Sequence, residues 1–401
     1  MVAPIFGGQS GRPGDKLQAL AIACLQSGLA AQLAGNEEGM MKQTVGVLAG
    51  VLALWPTLGL ANDGFGGLAA TGLTFSQTDA VAMEEEDLAI GIDQIRVAYV
   101  FRNVTTRDVT GEVIFPLPPI SLAAMTEASW NLPEDLERDN LLAFTATVDG
   151  APVAVAIDRI AVIEPPWDEN RPLNQQYDTP GRDVTAALAR YGIPLSVSAD
   201  RVTALLMALS PEQQAEAAAA GLAQYYYPAD GGNGVPKYVT PLWSVILRYH
   251  WTQTFPAGAV VQIVHEYENR PSGGLFGWQD PPTEDDMLSQ VARYCVDAGT
   301  SRAMAMATGA LDPTAVGDPL GGAWSMGMAW NIEYVLRTAN SWAGPIGRFR
   351  LTLDKGGKGN VISLCADGIR KTGPTTFVME KTDFTPSRDL EILVVAPLTQ
   401  D

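Results

Sequence analysis

His250 and His265 are the only histidines in the 401-residue chain, and fourteen residues, the Phe255–Ala259 turn among them, lie between the two. Histidine changes charge near neutral pH and is the commonest metal ligand, so these two are the first candidates for chemistry. His250 sits with Arg248 and Thr252 on the polar face of one alternating run, while His265 shares a face with Ile263 and Tyr267. If the two runs pair across the Phe255–Ala259 turn, the imidazoles approach each other, and with a carboxylate such as Glu266 they are the candidate metal ligands. Adjacent strand residues point to opposite faces, however, so His265 and Glu266 cannot easily hold one ion. Ordinary cross-strand packing is the expected role of both, and no cofactor is expected.

The other chemistry-bearing residues are sparse. Ser325, in Ala323-Trp-Ser-Met-Gly327, resembles a degraded nucleophile elbow, but a hydrolase of that type needs its histidine after the serine, and here both lie upstream. A loop or strand serine is expected. The acidic runs Glu84-Glu-Glu-Asp87 and Glu284-Asp-Asp286 lack the spacing of a calcium loop and read as solvated edges. Asp354-Lys-Gly-Gly-Lys-Gly359 lacks the ending of a phosphate loop and reads as a turn, and Asn103-Val-Thr105 reads as a turn cap. Among the tryptophans, Trp243 and Trp251 fit an alternating core face, whereas Trp278 follows Gly-Gly-Leu-Phe-Gly in an apparent loop. Trp278 is therefore the candidate ligand or partner contact.

Composition narrows the partners. Lys and Arg number 26 against 45 Asp and Glu, a formal charge of −19, which repels phosphate backbones and anionic lipid. No nucleic acid is expected as a partner. Hydrophobic residues at 47% support real cores, and 40 Gly with 27 Pro favour many short strands joined by turns.

Those strands must position the candidates. Ile95, Val97, Tyr99 and Phe101 alternate with polar residues, Asn103–Asp108 turns the chain, and a second strand runs through Val113 and Phe115 until Pro116 and Pro118. Asp149-Gly150 marks a tight hairpin between Phe144–Val148 and Ala151–Ile157. After Pro165-Pro166 come three helical patterns. One carries Val184, Leu188 and Tyr191, the next Val202, Leu205, Leu206 and Leu209, and the third starts at the capping box Ser210-Pro-Glu-Gln213. Strands resume near Leu242 and continue to Val395, interrupted by a loop over Pro271–Asp286. The expected fold is mainly β: two antiparallel β-sandwich-like domains with a small α-helical insert. The first β-domain spans 62–164, the insert 165–236 and the second β-domain 237–401.

The N-terminal region predicts a compartment. Met40-Met41-Lys42 precedes the apolar run Val45–Trp55, and Gly59-Leu60-Ala61 supplies small residues at a cleavage position, the order of a secretory signal peptide over 40–61. Residues 1–39 then read as a mis-called start. No later stretch reaches spanning length, so no membrane span is expected once the leader is removed. Cys24 leaves with the leader. Cys295 and Cys365 remain, and an even pair in a periplasmic or secreted chain predicts a disulfide.

Several motifs carry a family resemblance: Met83-Glu-Glu-Glu-Asp-Leu88, Ile95-Arg-Val-Ala-Tyr-Val-Phe-Arg-Asn103, Phe115-Pro-Leu-Pro118, Trp251-Thr-Gln-Thr-Phe-Pro-Ala-Gly258, Tyr294-Cys295, Trp342-Ala-Gly-Pro-Ile-Gly-Arg-Phe-Arg350 and Asp383-Phe-Thr-Pro386. Together they resemble the exported bacterial proteins carrying domain of unknown function 4424, over essentially the whole chain after the leader. The first domain also loosely resembles the vault/inter-alpha-trypsin-inhibitor type β-domain, which implies interaction rather than catalysis. The resemblance implies an exported β-rich protein and no activity. The expected function is non-enzymatic binding or envelope assembly, with an unknown envelope protein or small molecule as partner. The alternative is an envelope hydrolase built on paired carboxylates, which can do acid–base work without histidine.

Overall fold

The computed structural model describes residues 79–398 apart from 127–129, 166–180, 229–233, 310–324, 337–338 and 341, preceded by strand segments at Gly64–Phe65, Ala70–Thr71 and Thr74–Phe75. The expected leader, the start at Met40 or Met41, and Cys24 lie outside the described residues.

The fold is mainly β. In chain order its main strands are β1 (Val81–Ile90), β2 (Gln94–Asn103), β3 (Val109–Pro116), β4 (Thr145–Val148), β5 (Ala156–Ile163), β6 (Ala223–Tyr226), β7 (Tyr238–Pro241) and β8 (Ser244–Phe255). They continue with β9 (Val260–Glu268), β10 (Ser272–Trp278), β11 (Ser325–Val335), β12 (Ile346–Asp354), β13 (Val361–Leu364), β14 (Thr376–Phe384) and β15 (Leu390–Pro397). The helices used below are α1 (Thr185–Arg190), α2 (Ala199–Met207), α3 (Pro211–Ala219), α4 (Asp285–Tyr294) and α5 (Ala298–Ala307). None of the described helices is long and apolar enough to cross a membrane.

The two expected β-domains are not separate along the chain. One sheet runs β14, β12, β1, β2, β9, β4, so strands from both sequence halves alternate within it. A second places β8 between β5 and β3, and a third runs β10, β11, β15, β13. Pairing is antiparallel except between β12 and β1, and between β11 and Ala70–Thr71. The division at 164 and 237 is therefore corrected: β1 to β5 need β8, β9, β12 and β14 to complete their sheets. Alternation within a strand reports which face is buried; it carries no information on which strand lies beside it.

The reason is a pair of corners. β2 and β3 are consecutive but belong to different sheets, and so are β8 and β9; neither pair forms the hairpin that short turns suggest. Asn103 holds both corners together. Its Nδ2 donates to the carbonyls of Arg107 and Phe255, each at 2.8 Å, while its Oδ1 accepts from the Thr105 amide at 2.9 Å. Asn103 is thus the turn cap that was expected, with its side chain fully spent. The Asp149-Gly150 hairpin also forms, with φ of 49° and 79° at the two residues, as a two-residue turn with both φ positive requires. Its second arm is brief. Ala151–Pro152 pairs with β4, and after a crossing segment the chain joins the other sheet as β5.

The three helical patterns expected after Pro165-Pro166 form α1, α2 and α3. Ser210 and Gln213 form both halves of the capping box on α3, and Gly192 and Gly221 take positive φ just beyond α1 and α3. Val202 and Leu206 of α2 are buried, and the insert closes on the β6–β7 ribbon.

Pro271–Asp286 departs from expectation. The first half is a strand rather than a loop, because its glycines serve close backbone approach instead of turning: a Cβ on Gly273 would stand 2.1 Å from the Ala329 carbonyl oxygen of β11. Glu284 is the N-cap of α4 and Asp285 and Asp286 occupy its first turn, where negative charge complements the helix dipole. All three are exposed, whereas the other acidic run is not at a sheet edge. β1 lies mid-sheet, Glu84 accepts from Arg102 Nε at 2.5 Å, and Glu85 accepts from Arg348 at 2.5 Å.

Candidate functional site

From Val245 to Phe255 the side chains of β8 alternate between a buried and an outer face. Val245, Leu247, Tyr249, Trp251 and Phe255 are buried, so Arg248, His250, Thr252 and Thr254 must lie on the outer face. Register then brings acids beside His250. Thr252 stands opposite Glu112 of β3 on one side, and Arg248 stands opposite Asp158 of β5 on the other. Diagonal neighbours on one sheet face are within reach of long side chains. Glu112 Oε2 lies 2.9 Å from His250 Nδ1, Thr252 donates its hydroxyl to Glu112 Oε1 at 2.5 Å, and Asp158 Oδ2 stands 3.2 Å from His250 Nε2. The Asp158 contact is off the hydrogen-bond direction, which leaves Nε2 without a proper partner.

The cluster opens into a groove of about 420 Å³ walled by Val153 and Ala154 of the crossing segment and Ala156 at the start of β5. The Thr252 hydroxyl, then His250, hold the Glu112 carboxyl below the ordinary glutamate range. An ionised carboxylate only accepts, so the proton on the shared Glu112–His250 contact belongs to Nδ1, while Nε2 is buried against Asp158. Because the two carboxylates bracket opposite nitrogens of one ring, they cannot join a single nitrogen in holding one ion. What the arrangement can do is accept hydrogen bonds and positive charge from a ligand lying against small apolar walls.

The structure separates the two histidines that the sequence brings together on paper. β8 and β9 lie in different sheets, so the pairing on which an approach of the two histidines depended does not form. His265 points inward, 1% exposed, among the rings of Tyr99, Phe115, Phe144 and Tyr267 at 5.5 to 5.7 Å between centroids. Glu266 points outward and pairs with Arg96 at 2.9 Å, as strand alternation requires. Burial, helped by the charge of Arg96, pulls the His265 pKa down to about 3 from its ordinary 6.5.

That depression makes His265 acid-sensitive. The folded chain keeps the ring neutral while the unfolded chain protonates it below 6.5, so its contribution is complete above that pH and is lost as pH falls towards 3. His265→Phe preserves the aromatic shape and removes the titration. We expect the wild type to lose about 3 kcal/mol more than the variant on going from about pH 7 to about pH 4, read from urea unfolding at each pH. Parallel pH profiles for the two proteins would refute this account of His265.

Trp278 is the second correction. It closes β10 rather than a loop, is fully buried, stacks on Phe276 at 5.7 Å, and donates from Nε1 to Ser301 Oγ of α5 at 3.2 Å. Its place is the core between the β10–β11 sheet and the two helices α4 and α5, so it offers no ligand contact. Ser325 begins the eleven-residue strand β11, with no helix following it, which removes the strand-to-helix turn that a nucleophile elbow needs. Cys295 and Cys365 lie at disulfide bonding distance, 1.94 Å between sulfurs and 5.0 Å between Cα atoms. They join the end of α4 to the end of β13.

Glu112 and Asp158 were not singled out from the sequence. Each lies in an unremarkable strand pattern, and only the partner strands give them a common neighbour.

With this geometry in view, comparison with known proteins adds the following. The profile of domain of unknown function 4424 matches residues 61–393. No curated protein matches the chain. A crystal structure from Legionella pneumophila subsp. pneumophila str. Philadelphia 1, provisionally described as a nutrient binding protein, aligns with a TM-score of 0.41 at 15% identity, over 83% of this chain and 72% of that one.

Proposed function

We propose that this chain, which belongs to the family defined by domain of unknown function 4424, is a non-enzymatic binding protein of the periplasm or cell exterior that receives a small ligand in the His250 groove. The carboxylate–imidazole–carboxylate cluster supports this reading most: Glu112, His250 and Thr252 line an open groove, and Asp158 from a third strand holds the far side of the imidazole. Accepting groups on small apolar walls suit a cationic or donor-rich small molecule. The leader pattern and the cysteine pair support export. A carboxylate hydrolase would need a proton-bearing acid at the groove, and Glu112 is shifted the other way.

The test is a binding screen on the full chain against amines, amino acids, sugars and divalent cations, followed by titration calorimetry on any hit. His250→Ala and Glu112→Gln should each weaken that hit by roughly tenfold or more, the effect of losing a hydrogen bond to a charged group. Unchanged affinity in both variants would move the binding site elsewhere.

A further inference from the structure

Residues of β1 do not keep one alternation from end to end. Val81 and Met83 point inward, but a bulge between Met83 and Glu85 shifts the phase, so that Glu86, Leu88 and Ile90 are the inward residues beyond it. Without the extra residue Glu85 would enter the core and Glu86 would face solvent. Bulges re-aim side chains in this way. The consequence is a carboxyl group 2% exposed, whose Oε2 has no hydrogen-bond partner.

Among the described residues no compensating charge acts on it. The register partners of Glu86 are Tyr99 on β2 and Phe349 on β12, and Arg348 and Arg350 of β12 sit out of phase with Phe349. From the facing sheet Tyr334 of β11 lies within electrostatic reach, and it in turn senses Tyr99 and Tyr267 of β9. His265 of β9, held neutral, packs against the Tyr99 ring. An ionised carboxylate in such a place is costly, whereas the neutral acid is tolerable.

We propose that Glu86 is a proton-dependent lock on the contact between β1 and β11: the two sheets close over the carboxyl while it carries its proton, and ionisation loosens them locally. Burial pushes the Glu86 pKa up to about 8 from 4.5. The folded state therefore holds the proton more tightly than the unfolded state, so stability falls as pH rises from 4.5 towards about 8 and levels off beyond it.

Hydrogen exchange and thermal unfolding of the full chain at about pH 6 and about pH 9 test the lock. The expected result is a lower Tm at the higher pH, with protection factors dropping at least tenfold on β1 and β11 but not on β13 or the helical insert. Glu86→Gln should keep both quantities nearly constant between the two pH values. A carboxyl carbon NMR titration of the wild-type protein provides a reading that needs no variant: a Glu86 midpoint near 8 supports the lock. A midpoint below about 5, equal pH dependence in wild type and Glu86→Gln, or a loss of protection spread uniformly over all strands would each overturn it.

Discussion

Trp278→Ala should cost the folded chain roughly 3–5 kcal/mol, the range for truncating a buried aromatic side chain. The ring is fully buried between Phe276 and the α4–α5 pair, in a cluster that includes Met287, Tyr294 and Met304. It also makes a polar contact that truncation would break. Trp278 donates to Ser301 Oγ, and the Ser301 hydroxyl donates onward to Asp280 Oδ1 at 2.7 Å. Trp278→Phe separates the two effects: it keeps most of the buried area and loses the hydrogen bond, for about 1 kcal/mol from that term plus whatever the smaller ring leaves unfilled. Denaturant unfolding with an unchanged m-value is the measurement. A midpoint equal to wild type in Trp278→Ala would mean that β10 and its helices contribute nothing to the cooperative unit, contrary to the packing described.

The second large effect concerns Cys295 and Cys365. At a sequence separation of 70, the chain-entropy account gives a closed bond a stabilisation of roughly 4 kcal/mol, because it restricts a long loop in the unfolded chain. Cys295 is the left-handed C-cap of α4, with φ of 52°, so the bond would hold the end of that helix against the β13 side of its sheet. Protein isolated from its native host without reductant should show no reactive thiol after denaturation at residues 295 and 365. Reductant should expose both and lower the Tm by several degrees. Two reactive thiols in the unreduced native protein would remove both the bond and the main structural support for export.

A good part of the architecture is legible before any coordinates are seen. The alternation on β2 and, from Val245, on β8 is regular, so their buried and exposed faces could be assigned residue by residue, His250 outward included. The capping box at Ser210, the glycines after α1 and α3, and the Asp149-Gly150 turn are local chemistry, decided by a few neighbouring atoms. Two misreadings share one cause. The Gly-Gly of Ser272–Trp278 looked like a loop, and Glu84–Asp87 looked like a solvated edge, because glycine and glutamate are disfavoured in strands on average. Neighbouring strands override that average: β11 passes too close to Gly273 for a side chain, and Arg102 and Arg348 stand ready to pair with Glu84 and Glu85.

The site itself illustrates the limit. Sequence assigns His250 to a polar strand face, since that requires only the period of two along one strand. That Glu112 and Asp158, 138 and 92 positions away by number, should bracket its ring depends on β3 and β5 flanking β8. The same holds for His265, whose apolar face was visible but whose enclosure by Phe115 and Phe144 comes from strands and segments in other parts of the chain. Strand pairing is a long-range event settled by burying every strand's apolar face at once, so no local pattern encodes it. The bulge before Glu86 is the sharpest case: one extra residue among four consecutive acids, invisible as a pattern, decides which of them enters the core.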